Sequence, residues 1–302
     1  MEKKRTQSIV MLFIASFIWG SGFVAQSAGM AYIRPFTYTA VRSFISFIAI
    51  AAALPLLDKL GFAKRDPAKR RTLWIAGFFC GALLFIASNC QQWGILTTSV
   101  GKAGFITSMY IVLVPIFAIV IGQKTRWIVW LSAGIALAGL YLLSVKEGFS
   151  IGSGDLLIMA CAFFFAIHIL VIDHYSSMVD CVRLSCIQFL VCGILSSIPT
   201  ILLEKPQATS ILAAWLPLLY AGLLSGGVAF TLQIIAQRNL DAPTASLLFS
   251  LESVFSALCG WVILGQVLSG KELAGCALVF CAVLISQIPA KKAKAVISPV
   301  VE

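Results

Sequence analysis

Long apolar runs, broken at fairly even intervals by short polar or Gly/Ser-rich stretches, make up most of the chain. A helix that crosses a bilayer needs ~20 apolar residues. Ten runs fit: roughly 8–30, 35–57, 72–96, 101–121, 127–145, 153–174, 182–203, 208–236, 243–264 and 271–289. They are too long for strands and do not alternate apolar with polar. In lipid every backbone N–H and C=O must find a partner, and a helix supplies these within one segment. The pattern therefore predicts an all-α membrane protein of ten transmembrane helices. Several loops are only four to eight residues long, so consecutive spans run antiparallel.

The ten runs divide into two blocks of five, meeting near Lys146-EGFSIGSG-Asp155. An odd number of spans per block inserts the second block upside down, giving two inverted-topology five-helix repeats. That architecture places a solute site near the midplane, where the repeats meet. The repeat is faint in sequence. At an offset of 143, residues 101–144 match 244–287 in hydropathy, but only Gly-Gln at 122–123 and 265–266 is identical, and Glu252 falls beside Met109. At an offset of 146, Phe17-IWGSGF aligns with Phe163-FFAIHI and Arg42 falls beside Gln188.

Charge tests the ten-span reading. Of 302 residues only 11% are charged, against about 25% in a soluble domain, and mean hydropathy is +0.99. The net charge of +10 does not indicate nucleic acid, because the basic residues sit in short loops. With the N-terminus inside, sixteen fall on the inner side: Lys3, Lys4, Arg5, Lys59, Lys64, Arg65, Lys69, Arg70, Arg71, Lys124, Arg126, Arg183, Arg238, Lys291, Lys292 and Lys294. Five fall outside: Arg34, Lys102, Lys146, Lys205 and Lys271. This positive-inside bias predicts one fixed orientation with both termini cytoplasmic, in the cell (inner) membrane. The basic start followed by an apolar stretch has the look of a secretory signal. Its charge-free run, Thr6 to Ile33, exceeds the ~7–15 residues of a signal core, so it reads as the first span. Nine cysteines form no Cys-x-x-Cys pair and lie almost all in apolar runs, where they behave as small hydrophobes. No metal or cofactor site is expected.

Particular stretches resemble a family. Phe17-IWGSGFV, Gln91-QWGILTTSVGKAGFITSMYIVLVP, Ala166-IHILVIDHY, Ala236-QRNLDAPTASLLFSLES and Leu264-GQVLSGKELAG together resemble the drug/metabolite transporter superfamily, in its ten-helix EamA-type form. The resemblance covers essentially the whole chain. It implies one EamA repeat at 9–145, a second at 153–287 and a cytoplasmic tail at 288–302. It also implies a central cavity lined by the first four spans of each half, with the fifth packed outside. Members mostly export or exchange amino acids, other small metabolites or drugs. The chain departs from the pattern twice. Glu252-Ser253 stands where Glu-Pro is usual, so a proline kink is expected to be missing from the ninth span. Gln123 and Gln266 stand where Leu-Gly-Glu is usual.

Charge within a bilayer is costly, so each intramembrane ionisable group is a candidate for function. Glu252 interrupts a run from Ala242 to Gly270 that is otherwise free of charge. It fits proton coupling or gating, capture of a solute amine, pairing with Arg42, or a fixed packing role. Arg42 lies in the second span and either snorkels outward or faces inward to grip a carboxylate. His168 either donates to a solute or is satisfied by neighbouring helices. Asn89, Gln91, Gln92, Gln188, Gln233 and Gln237 are amides that serve as interhelical glue or as cavity lining; Asn89/Gln92 and Gln233/Gln237 share faces in spans three and eight. Trp19 in mid-span stacks on a solute or packs. Tyr110 and Thr107 are further cavity candidates, and Asp155 and Asp173 read as interfacial anchors. There is no P-loop, HExxH or GxSxG, so neither an ATP-driven pump nor these hydrolases are expected. Gly152-SG-Asp155 matches the GxGD string of aspartyl peptidases, but the other span aspartate, Asp173, is ~27 Å away along one helix.

These readings converge on a secondary active carrier, not an enzyme: an exporter or exchanger of small organic solutes by alternating access, with protons as a possible co-substrate. The expected partners are a small-molecule solute and the lipid bilayer, with no nucleic acid, in a monomer or weak homodimer. The alternative is a non-transporting membrane enzyme, sensor or scaffold.

Overall fold

The computed structural model describes residues 2–61, 69–144, 152–264 and 268–288. The tail from 289 onward, the repeat junction, and Lys64, Arg65, Lys146, Gln266, Lys291, Lys292 and Lys294 lie outside the described residues. Among the described residues the chain is helical with no strand. Eight segments are long and apolar enough to cross a bilayer: Lys3–Gly29, Pro35–Lys59, Arg70–Gly94, Val100–Val120, Ser153–Ser176, Cys181–Glu204, Trp215–Gln237 and Ala242–Ile263. The fifth and tenth spans, Trp127–Ser144 and Gly270–Ser286, are shorter. They pack on each other, with Gly139 and Gly275 meeting so closely that a Cβ on Gly275 would stand 2.5 Å from the Gly139 carbonyl.

Most extensive helix contacts cross between the halves, and they occur in symmetry-related pairs. Span one packs on span nine as span six packs on span four. Span two packs on span eight as span seven packs on span three. Spans two and seven, four and nine, and five and ten pair with their own counterparts. This is the pattern of a two-fold axis relating two inverted repeats. The halves are interleaved, so neither buries its own apolar faces alone.

Local sequence explains the element ends. The second span starts with Pro35 at its first turn, where the missing N–H costs nothing. Asp180 and Asp241 cap the seventh and ninth spans by accepting from Arg183 N and Thr244 N. After the fourth span Gly122 takes φ +85, and Gln123 N returns to the Ala118 carbonyl at 2.8 Å. This left-handed stop is why glycine sits in the Gly-Gln pair.

One expectation needs correction, and two further features stand out. The eighth span does not run unbroken over 208–236. Ala208–Ala213 is a separate short helix, and from Tyr220 to Phe230 the backbone winds as a wide π-helix before Thr231–Gln237 resumes the α form. Gly222 and Gly226 there press against Ile45 and Ser46 of span two, and Ser46 Oγ donates to the Gly222 carbonyl at 2.8 Å. The ninth span, with no proline at position 253, is nonetheless interrupted. It breaks between Ala242–Phe249 and Leu251–Leu264, where Ser250 Oγ takes the Leu247 carbonyl and Ser253 N bonds three residues back to Ser250. Asp155 is held firmly at the start of the sixth span. It is 4% exposed, accepts from Thr98 Oγ1 at 2.9 Å and pairs with Lys102 at 2.5 Å. The Gly152-to-Asp155 string is thus a helix start tied to the fourth span.

Candidate functional site

The fourth and ninth spans are both interrupted near the middle, at Ser108–Met109 and at Ser250. There they cross. Ser108 Oγ and Ser253 Oγ are 2.7 Å apart, and Ser253 Oγ also donates to the Gly104 carbonyl at 2.9 Å. Just beyond, Tyr110 OH donates to Glu252 Oε1 at 2.7 Å. Discontinuous helices that meet at midplane are the usual frame of a carrier's solute site.

Around this crossing lies a narrow cavity of about 50 Å³, open on one side. Each half supplies seven lining residues. The first gives Trp19, Phe23, Gln26, Arg42, Gln91, Thr107 and Tyr110; the second gives Phe165, Ile169, Ser225, Phe230, Gln233, Phe249 and Glu252. Neither the fifth nor the tenth span contributes.

Arg42 faces inward and does not snorkel: it is 8% exposed and lines the cavity. Its guanidinium lies 5.9 Å from the centre of the Tyr38 ring, one turn back on its own helix. Glu252 is 6% exposed and held by Tyr110. Among the described residues neither charge forms an ion pair with the other or with any third group. Two ionisable side chains of opposite type thus line one cavity without pairing with each other.

Aromatic packing fixes part of the cavity wall. Trp19 meets Phe230 and Phe249 edge-on at 4.9 and 5.4 Å, and its Nε1 donates to the Ser225 carbonyl at 3.4 Å. Gly20 allows this: a Cβ there would stand 2.6 Å from the Glu252 carbonyl, so spans one and nine touch backbone to backbone.

Other candidates are turned away from the cavity. Asn89 donates to Phe85 O and to Ser196 Oγ of span seven. Gln92 donates to the Gln26 carbonyl at 3.3 Å, and Gln237 to the Ile169 carbonyl at 3.0 Å. These last two bonds correspond: in each half an amide of the third span ties to a main-chain carbonyl of the first, and sequence alignment did not reveal this. His168 Nε2 sits 3.1 Å from Gln188 Oε1, fully buried and off the cavity. Gln123 Nε2 donates to Asp173 Oδ2 at 3.3 Å, so the amide in place of a usual glutamate neighbours a carboxylate. The sequence reading missed Phe23, Phe165, Phe230, Phe249, Gln26, Ser225 and Ile169 as lining.

Polar ties join the helices at both ends of the bundle. On the face carrying Arg5 and Gln287, Arg183 grips Asp58 with two bonds of 2.7 and 2.9 Å. On the opposite face, besides Lys102–Asp155, Glu204 accepts from Phe36 N, Thr37 N and Thr37 Oγ1, capping the second span from the other half.

Comparison with known proteins agrees with this geometry. The EamA-like transporter family matches residues 6–145 and 152–287, one repeat in each half. The chain belongs to the EamA-like transporter family. An "Uncharacterized transporter" of Archaeoglobus fulgidus is 31% identical over 272 residues, covering 87% of this chain and 80% of its own. One crystal structure overlays with a TM-score of 0.76 at 21% identity, over 93% of this chain and 96% of its own, a likeness of fold. The protein is thus a multi-pass membrane transporter of the drug/metabolite superfamily.

Proposed function

We propose that this EamA-family protein is a secondary active carrier that exports or exchanges a small organic metabolite carrying both an anionic and a cationic group, an amino acid being the simplest such solute. The observation that carries this reading is the unpaired coexistence of Arg42 and Glu252 in one midplane cavity. A guanidinium offers paired donors to a carboxylate, and a buried carboxylate receives an ammonium. Trp19, Phe230 and Phe249 offer apolar area to the rest of the solute.

Alternating access follows from the interleaved repeats. The polar ties at each end break in turn, while the crossing of spans four and nine stays in place. Glu252 exchanges its solute ammonium for a proton, which couples flux to a pH gradient. The carrier sits in the cell (inner) membrane with both termini cytoplasmic, as the positive-inside bias indicates.

The test is uptake of radiolabelled amino acids by proteoliposomes, with and without a pH gradient. Saturable uptake stimulated by the gradient, with stimulation lost in Glu252→Gln, is the expected result. Gradient-independent flux that is identical in Glu252→Gln defeats proton coupling. Absence of saturable flux for every amino acid defeats the zwitterion reading.

A further inference from the structure

One side chain on the cavity wall, Gln233, has its orientation settled by a neighbour behind the wall, Gln237. Gln237 Nε2 donates to the Ile169 main-chain carbonyl at 3.0 Å. A carbonyl only accepts, so the Gln237 nitrogen must point there and its Oε1 must point away. That oxygen accepts from Gln233 Nε2 at 3.0 Å, which fixes the second amide in turn. Gln233 Oε1 is left on the opposite limb, in a residue that lines the cavity. Gln233 is 2% exposed, and its Oε1 is buried with no hydrogen-bond partner. A buried acceptor without a donor is costly and calls for an explanation.

We propose that Gln233 is a specificity-determining residue, whose locked side-chain carbonyl receives an N–H of the solute's cationic end alongside Glu252, and that Gln237 is its positioning residue. The proposal rests on the zwitterion reading above. Arg42 supplies only donors; Glu252 and Gln233 supply acceptors, and so does Gln26, whose Oε1 is likewise buried without a partner. A cation without N–H groups satisfies Glu252 by charge and leaves Gln233 unmet. Sites built to bond an N–H reject analogues that lack it far more strongly than shape alone allows.

The test uses thermal stabilisation of the purified full-length protein. The probes are the proteinogenic amino acids and, for each that stabilises, its N,N,N-trimethyl derivative, which keeps the charge and loses the donors. The wild type is expected to need at least about tenfold more of the trimethyl form. In Gln233→Leu that gap shrinks about fivefold or more, because the acceptor is gone. In Gln237→Leu it also shrinks, although Gln233 itself is intact, because the freed amide turns. In Gln233→Glu an acceptor oxygen remains and the gap persists. If Gln233→Leu does not fold, Gln233→Met is the replacement, since its length is similar and it lacks the carbonyl. A gap unchanged in the Leu or Met variant, or in Gln237→Leu, overturns the proposal and leaves the carrier reading standing. Stabilisation by no amino acid overturns the zwitterion reading and this proposal with it.

Discussion

The two halves of the cavity wall match in place and differ in charge. Each repeat contributes seven residues, and each ties its third span to its first by an amide-to-carbonyl bond. Yet the first half brings the cation, Arg42, and the second brings the acid, Glu252. The second span turns Arg42 into the cavity, while the seventh span keeps the aligned Gln188 inside the half, bonded to His168. The repeat preserves the frame, and the chemistry sits where the copies have diverged.

Removing the cation should have the largest effect. Arg42→Ala is expected to weaken solute binding by roughly 2 kcal/mol or more, about thirtyfold, measured by isothermal titration with a stabilising amino acid. Arg42→Lys should recover part of this, since a lysine keeps the charge without the bidentate fork. An Arg42→Ala protein that binds as well as wild type would show that the asymmetry has nothing to do with the solute.

The scaffold should respond differently. Gly275→Leu forces a side chain into the seam between the fifth and tenth spans, where a Cβ alone would already stand 2.5 Å from the Gly139 carbonyl. Overpacking of this kind costs about 1–3 kcal/mol. A lower melting temperature with unchanged solute affinity is expected, because neither span reaches the cavity. Asp155→Asn removes the carboxylate that joins Thr98, Lys102 and Gly152 N. Lys102 is partly exposed, so the cost should be about 1–2 kcal/mol, below that of a fully buried pair. The same loss should change the rate of solvent access from that face. Thr37→Val deletes one of three bonds to Glu204 and is expected to cost about 0.6 kcal/mol. The melting temperature should barely move.

The spans were legible because twenty apolar residues in a row admit few structures. The eighth was read less well, since the wide turns from Tyr220 to Phe230 follow from glycines pressed on span two, a tertiary fact. Glu252, Arg42, Trp19, Tyr110 and Gln233 could be picked out because polar or mid-span aromatic groups are rare in a bilayer. Whether an amide faces the cavity or a neighbouring helix depends on helix rotation, which hydropathy does not report. Asn89, Gln92, Gln188 and Gln237 turned to neighbours for that reason. Phe23, Phe165, Phe230 and Phe249 were invisible among 21 phenylalanines, since lipid and cavity favour the same side chain.

The central claim is that one midplane cavity opens to each side of the membrane in turn. Thr107 lines that cavity beside the span-four crossing. Thr107→Cys in a cysteine-free background, reconstituted in one orientation, should react with a membrane-impermeant maleimide added to either side. Stabilising amino acid should slow both reactions. Labelling from one side alone, under every condition, would contradict the account.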